Sequence, residues 1–237
     1  MKIAVIGSGS VGCLYGARLA RAGHDVKFLM RRDLNAVRQR GLNIHSVDGD
    51  IQLRAQAFGD SREIGEVDLV ICALKATAMD AAEALIRPCV SDSTVILGLM
   101  NGLGIEEQLA EWFAKSNIVG GLAFVCINRG EPGVVHHLGY GRVAFGDLID
   151  GTAHAARLAA VFAEAGFETD VRPSLRQARW EKLMWNIPFS TLAITGGGVT
   201  TQEILGDRGL RHLAEQLIIE TGVAGNADGC AIDIDAT

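Results

Sequence analysis

What this sequence lacks narrows it first. Basic residues are outnumbered, 22 against 28 acidic ones, and form no cluster beyond Arg31-Arg32. The net charge of −6 and pI near 5.5 argue against a general affinity for nucleic acid or an anionic membrane surface. No apolar run reaches the roughly 20 residues that a bilayer-spanning helix takes. No charged leader or cleavage site marks the opening "MKIAVIG", so no signal peptide is expected. The five cysteines (Cys13, Cys72, Cys89, Cys126, Cys230) are odd in number and include no C-x-x-C pair. Several sit in apolar runs, so reduced thiols in a cytoplasmic protein are the simple reading, and no metal site is expected. Internal repeats and low-complexity stretches are also missing.

What is present is enough apolar residue, 49% of 237, for a sizeable core in one or two domains. "KIAVIG" reads as a buried parallel strand, and "SVGCLYGARLARAG" as a helix stopped by Gly23. "HDVKFLM" completes a β-α-β unit. "LNIHSVDGDIQLRAQAF" alternates in polarity and reads as a hairpin around Asp48-Gly49. Then "VDLVICAL", "STVILGLM" and "NIVGGLAFVCI" read as strands, and "MDAAEALIRPCV", "GIEEQLAEWF" and "AHAARLAAVFAEAGF" as helices. "GVVHHLG" and "GRVAFGD" look like a late antiparallel pair. This alternation predicts an α/β fold with a Rossmann-type doubly wound sheet over residues 1–170. Residues 171–237 show only helical patterns, at 174–195 and 208–224, and are expected to form an all-helical second domain. That piece is small for an independent core. It is expected to pack on the first domain, on another subunit in a homodimer, or on residues beyond this chain.

Gly7-Ser8-Gly9-Ser10-Val11-Gly12 fits G-x-G-x-x-G in the strand–turn–helix context that a dinucleotide site requires. Gly7 suits the tight turn, Gly9 the approach of a pyrophosphate, and Gly12 the packing of helix on strand, with the anion on the helix N-terminus. NAD binding calls for a carboxylate at the end of the second strand, yet this strand runs into Arg31 and Arg32. Guanidinium groups suit a 2′-phosphate, so NADP (NADPH) is the expected cofactor, unless the arginines are merely solvated. Asp33 reads as the N-cap of the next helix. Lys75 in "CALKATAMD" and Asn101 in "LMNGLGIEE" follow later strands, at the edge where such sheets bind ligands. An exposed lysine and an Asn-Gly turn are equally ordinary features of loops.

In "RWEKLMWNIPFSTLAIT" a helical wheel places Lys182, Asn186, Arg179 and Ser190 on one strip. Trp185 and Phe189 flank it on one side and Leu183 and Ile194 on the other, while Gln177, Glu181, Thr191 and Thr195 lie opposite. A plain amphipathic helix has one polar sector, whereas this one has two. Either Lys182 snorkels from a packed helix, or it stands in a walled polar slot where an ammonium can protonate a substrate oxygen. Pro188 leaves the Met184 carbonyl without its helical donor, and a kink is expected there.

Taken in order, "KIAVIGSGSVG", the arginine after "FLM", "ALKA", "NGLG" and "RWEKLMWN" resemble the ketopantoate reductases (2-dehydropantoate 2-reductases) over the whole chain. The resemblance implies NADPH-dependent reduction of 2-dehydropantoate to (R)-pantoate on the route to pantothenate and coenzyme A. Carried over by position, Gly7 to Gly12 would hold the pyrophosphate and Arg31 the 2′-phosphate. Lys75 and Asn101 would line the cofactor and active site, and the backbone near Cys126 would touch the cofactor. Lys182 would be the general acid, with Asn186 binding substrate. The chain departs from the family pattern where Ser190 replaces a second asparagine, and a later substrate contact falls at Thr200. Family members also continue past this C-terminus with a serine and a glutamate that contact the ligands, so the helical domain is expected to be incomplete. A reductase or dehydrogenase of another small 2-keto or 2-hydroxy acid, and a non-catalytic NADP-binding module, are the alternatives.

Overall fold

The run Lys2–Ile6 (β1) lies in the middle of a mixed sheet because both of its faces are apolar. Its odd residues, Ile3 and Val5, join one buried cluster, while Ala4 and Ile6 join a second. A strand whose alternate side chains all need cover must carry helices on both sides. The structure, a computed structural model, describes residues 1–234. The chain divides into two compact units, Met1–Pro173 and Ser174–Thr237.

In the first unit β1 is followed by α1 (Ser10–Arg21), β2 (Asp25–Leu29), α2 (Leu34–Arg40), β3 (Leu42–Ser46), β4 (Ile51–Leu53) and β5 (Gln56–Phe58). Then come β6 (Leu69–Cys72), α3 (Ala82–Ile86), β7 (Val95–Gly98), α4 (Ile105–Trp112), β8 (Ile118–Arg129), β9 (Val134–Asp147), α5 (His154–Glu164) and β10 (Thr169–Val171). The sheet order is β4-β3-β9-β8-β7-β6-β1-β2-β5, with β10 also paired to β9. All neighbours from β5 through β8 are parallel, which gives the strand sequence of a dinucleotide-binding doubly wound sheet. α1 and α5 supply Leu14, Tyr15, Leu158 and Phe162 to one face; α3 and α4 supply Ile86, Ile105 and Leu109 to the other. On the first face Tyr15, Phe145, Phe162 and Phe167 form an aromatic cluster, with Phe145 and Phe162 edge to face at 5.0 Å.

Several elements differ from the sequence reading. The hairpin at Gly49 forms, but its C-terminal end yields a further strand, β5, parallel to β2. The segments expected as an antiparallel pair are one strand, β9, antiparallel to β8. Gly139-Tyr140-Gly141 resembles a turn in sequence because glycines flank Tyr140, and Tyr140 and Gly141 do have positive φ (63° and 128°). The register shifts of the β8–β9 ladder beside it identify an irregularity within one strand instead. "MDAAEALIRPCV" holds only the five-residue α3, flanked by 3-10 turns at Ala76–Ala81 and Arg87–Cys89. β10 pairs with β9, so Val171 belongs to the sheet of the first unit.

The second unit is helical: α6 (Leu175–Thr195), α7 (Thr201–Gly206) and α8 (Arg208–Ala227). Phe189, Leu192, Ile204 and Ala214 form its buried cluster. Small residues on α8 let α6 approach; a Cβ on Gly225 would stand 3.2 Å from the Trp180 ring, and one on Gly222 3.4 Å from Met184. Asp228, just past α8, accepts from the Arg176 guanidinium and from the Trp180 indole at 2.7 Å, holding the start of α6 to the end of α8. Among the described residues no helix is long and apolar enough to cross a membrane.

Candidate cofactor and catalytic site

The parallel strands β1, β2, β6 and β7 finish at a common edge, and register shows how closely. Ile6 pairs with Leu29 on one side and Cys72 on the other, and Cys72 pairs with Gly98. Gly7 therefore follows β1 by one residue, Arg31 follows β2 by two, and Lys75 and Asn101 follow β6 and β7 by three. From β2 to β7 is three strand spacings, roughly 14 Å. Gly7 to Gly12, Arg31, Lys75 and Asn101, read separately from the sequence, are thus brought to one edge of one sheet. Cys126 is exposed and lies further along, since β7–β8 register (Gly98↔Gly120) sets Ala123 level with Asn101.

The loop after β1 cannot carry side chains at two of its glycines. Gly7 has φ +97°, and a Cβ there would stand 2.6 Å from the Ala73 and Leu74 backbone. A Cβ on Gly12 would meet the Gly7 carbonyl at 2.5 Å, whereas one on Gly9 would meet nothing within 4 Å. The open space at Gly9 is where a large anion can approach the main chain. Gly9 is the N-cap of α1; no side chain caps this helix and no acidic residue stands in its first turn. Its N-terminal amides and the positive end of its dipole are thus left for an anion. Arg31 and Arg32 are exposed and make no ion pair or side-chain hydrogen bond among the described residues. A phosphorylated dinucleotide fits this combination of open main chain, uncapped helix and free cations.

Beside this loop, burial pushes the Cys13 thiol up to about 12, so it is no nucleophile. Lys75 is exposed at the cap of the Ala76–Ala81 turn, and Asn101 is exposed ahead of Gly102. Asp33 stands at the N-cap of α2, as expected, but its side chain accepts no cap hydrogen bond. Its carboxylate is ion-paired instead with Arg129 at the end of β8, 96 residues on. No local pattern in the sequence signals that partner.

In the second unit, α6 runs unbroken through Pro188, and Ser174 caps it by accepting from the Gln177 amide at 3.2 Å. Along the strip, Arg179 is buried, Lys182 and Asn186 are half-buried, and Ser190 is exposed. Burial, and then the charge of Arg179 one turn earlier, pull Lys182 down from 10.5 to about 8. The walls expected beside the strip are uneven. Trp185 packs on Phe189 with ring centroids 4.2 Å apart and the planes tilted by 36°, but it is 57% exposed, and Ile194 is 79% exposed. Thr200 is committed to a capping box at the start of α7, its hydroxyl 2.8 Å from the Glu203 carboxylate.

Fold and loop together define a dinucleotide-binding α/β protein whose chain continues into a helical unit bearing a perturbed lysine. Residues 3–150 match the family described as ketopantoate reductase PanE/ApbA, and residues 174–237 match its C-terminal counterpart. A 2-dehydropantoate 2-reductase of Nostoc sp. is 36% identical over 235 residues, 96% of this chain and 73% of the relative. The crystal structure of a 2-dehydropantoate 2-reductase from Geobacter metallireducens superposes with a TM-score of 0.94 at 43% identity, covering 98% of this chain and 77% of that one. A D-mandelate dehydrogenase solved with NADH and anilino(oxo)acetate shares the fold, at TM-score 0.91 and 22% identity over 100% of this chain and 77% of that one. The chain belongs to the ketopantoate reductase family.

Proposed function

We propose that this chain reduces 2-dehydropantoate (ketopantoate) to (R)-pantoate with NADPH, and that Lys182 is the general acid. Family membership and the 2-dehydropantoate 2-reductases among its relatives support the reaction. The observation that carries the mechanism is the half-buried Lys182 with its pKa lowered to about 8. An acid near the working pH is both protonated and ready to release its proton.

A bound nicotinamide cofactor would supply the hydride that reduces C2 of the keto acid. The chain supplies the rest. The Gly7–Gly12 loop and the N-terminus of α1 would hold the pyrophosphate, and Arg31 would meet the 2′-phosphate. Lys75, Asn101 and the main chain near Cys126 would line the cofactor. Lys182 donates the proton to the ketone oxygen as charge develops there, and until the proton moves its positive charge stabilises that oxygen. Asn186 orients the substrate through its amide, with Ser190 further along the same strip. The oxygen gains one proton and the carbon one hydride, so keto acid becomes hydroxy acid.

Replacing Lys182 by Ala tests the assignment. Turnover should fall by about 10²–10⁴-fold while the dissociation constant for NADPH stays unchanged. Unchanged turnover would remove Lys182 from the mechanism.

A further inference from the structure

After β2 the chain carries two cations and a carboxylate in succession, Arg31, Arg32 and Asp33. A carboxylate at this end of the second strand favours the ribose 2′-OH of NAD and repels a 2′-phosphate. Asp33 is therefore the wrong charge for NADP, yet the structure withdraws it. Its Oδ1 is ion-paired with Nη2 of Arg129, and its side chain is only 12% exposed against 41% for the arginine. Asp33 stands where a helix-capping side chain belongs but makes no cap bond. The carboxylate thus serves Arg129, not its own helix. Both groups also act on Cys13 in the first turn of α1, Asp33 raising its pKa and Arg129 lowering it. The pair accordingly lies within electrostatic reach of the glycine loop. Arg31 and Arg32, by contrast, are exposed with no ion pair among the described residues.

We propose that Arg129 is a positioning residue for cofactor choice: by neutralising and holding Asp33 it leaves Arg31 and Arg32 free for a 2′-phosphate, and so sets NADPH ahead of NADH. The inference rests on the NADP reading above and adds to it a residue from a distant strand. Arg129 acts through Asp33 and need not touch the cofactor. Without it, Asp33 is a free carboxylate two residues from Arg31. It then competes for the guanidinium, repels the phosphate and becomes able to accept from a ribose hydroxyl.

Dissociation constants for NADPH and NADH, measured by cofactor fluorescence, test this in the wild-type chain and in Arg129→Ala, Arg129→Lys, Asp33→Asn and the Arg129→Ala/Asp33→Asn double variant. The wild type should bind NADPH more tightly than NADH. Arg129→Ala should lower that preference about tenfold, the scale of one partly screened charge contact, with the loss confined to NADPH. Arg129→Lys should keep most of the preference, and removing the Asp33 charge in the double variant should restore it. A merely structural role for Arg129 would weaken both cofactors alike and would not be rescued by Asp33→Asn; either result overturns the proposal. A wild type that shows no preference for NADPH overturns the NADP reading itself, and this inference with it.

Discussion

Lys182 makes the account sensitive to pH in a direction that can be worked out. Its pKa is lowered from 10.5 to about 8 because burial and the neighbouring Arg179 both disfavour a charged ammonium. As a general acid it must be protonated at the start of each reduction. A group of that pKa is about 90% protonated at pH 7, about half at pH 8 and about 10% at pH 9. An ordinary lysine would still be about 97% protonated at pH 9. The kcat/KM for the keto acid, followed by loss of NADPH absorbance, should therefore fall about tenfold between pH 7 and pH 9. Lys182→Arg supplies the control, since guanidinium stays charged throughout this range. Its residual rate should be low and should lack the alkaline limb. A wild-type profile that is flat to pH 9, or a limb that survives in Lys182→Arg, would refute Lys182 as the titrating acid.

Two further outcomes separate folding from ligand binding. Gly7→Ala forces a Cβ to within 2.6 Å of the Ala73–Leu74 backbone at φ +97°. It should cost about 1–3 kcal/mol or more and lower the melting temperature by several degrees, at about 2–4 °C per kcal/mol for a domain of this size. Gly9→Ala meets no neighbour within 4 Å, so thermal melting should leave it near wild type while titration shows weaker NADPH binding. In the helical unit, bonds from Arg176 and Trp180 hold the Asp228 carboxyl down at about 2, against an ordinary 3.8. Its folded pKa is depressed, so its contribution is present above pH 3.8 and lost as pH falls through about 2. Tryptophan fluorescence during acid unfolding should show that part of the pH dependence disappear in Asp228→Asn.

How far the fold was legible follows from the range of the interactions involved. β1, the glycine loop and α1 are adjacent in sequence, and their pattern of β-branched run, glycine turn and helix repeat is local, so they could be read directly. Arg31, Lys75 and Asn101 were legible as residues following strands; only the parallel register shows that those strands end together. β5 and β10 are three residues each, too short for any periodicity, and exist because β2 and β9 offer open edges to pair with. The continuity of β9 through Tyr140 was hidden because glycines on both sides of a residue look the same in a turn and in a bulge. Only the β8 ladder distinguishes them. Asp33 does stand at the N-cap of α2, but its ion-pair partner was hidden for a similar reason: capping is a local preference, and Arg129 arrives from 96 residues away. On α6 the wheel placed the polar strip, but it could not grade burial along it, which decides that Lys182 is perturbed while Ser190 is exposed.

The central claim is that the chain reduces ketopantoate with NADPH. Its most direct test is the rate of NADPH oxidation with ketopantoate beside a panel of other small 2-keto acids, with the product identified as (R)-pantoate. The account predicts the highest kcat/KM for ketopantoate. Equal or greater rates with another 2-keto acid, or NADPH binding without turnover on any of them, would contradict it.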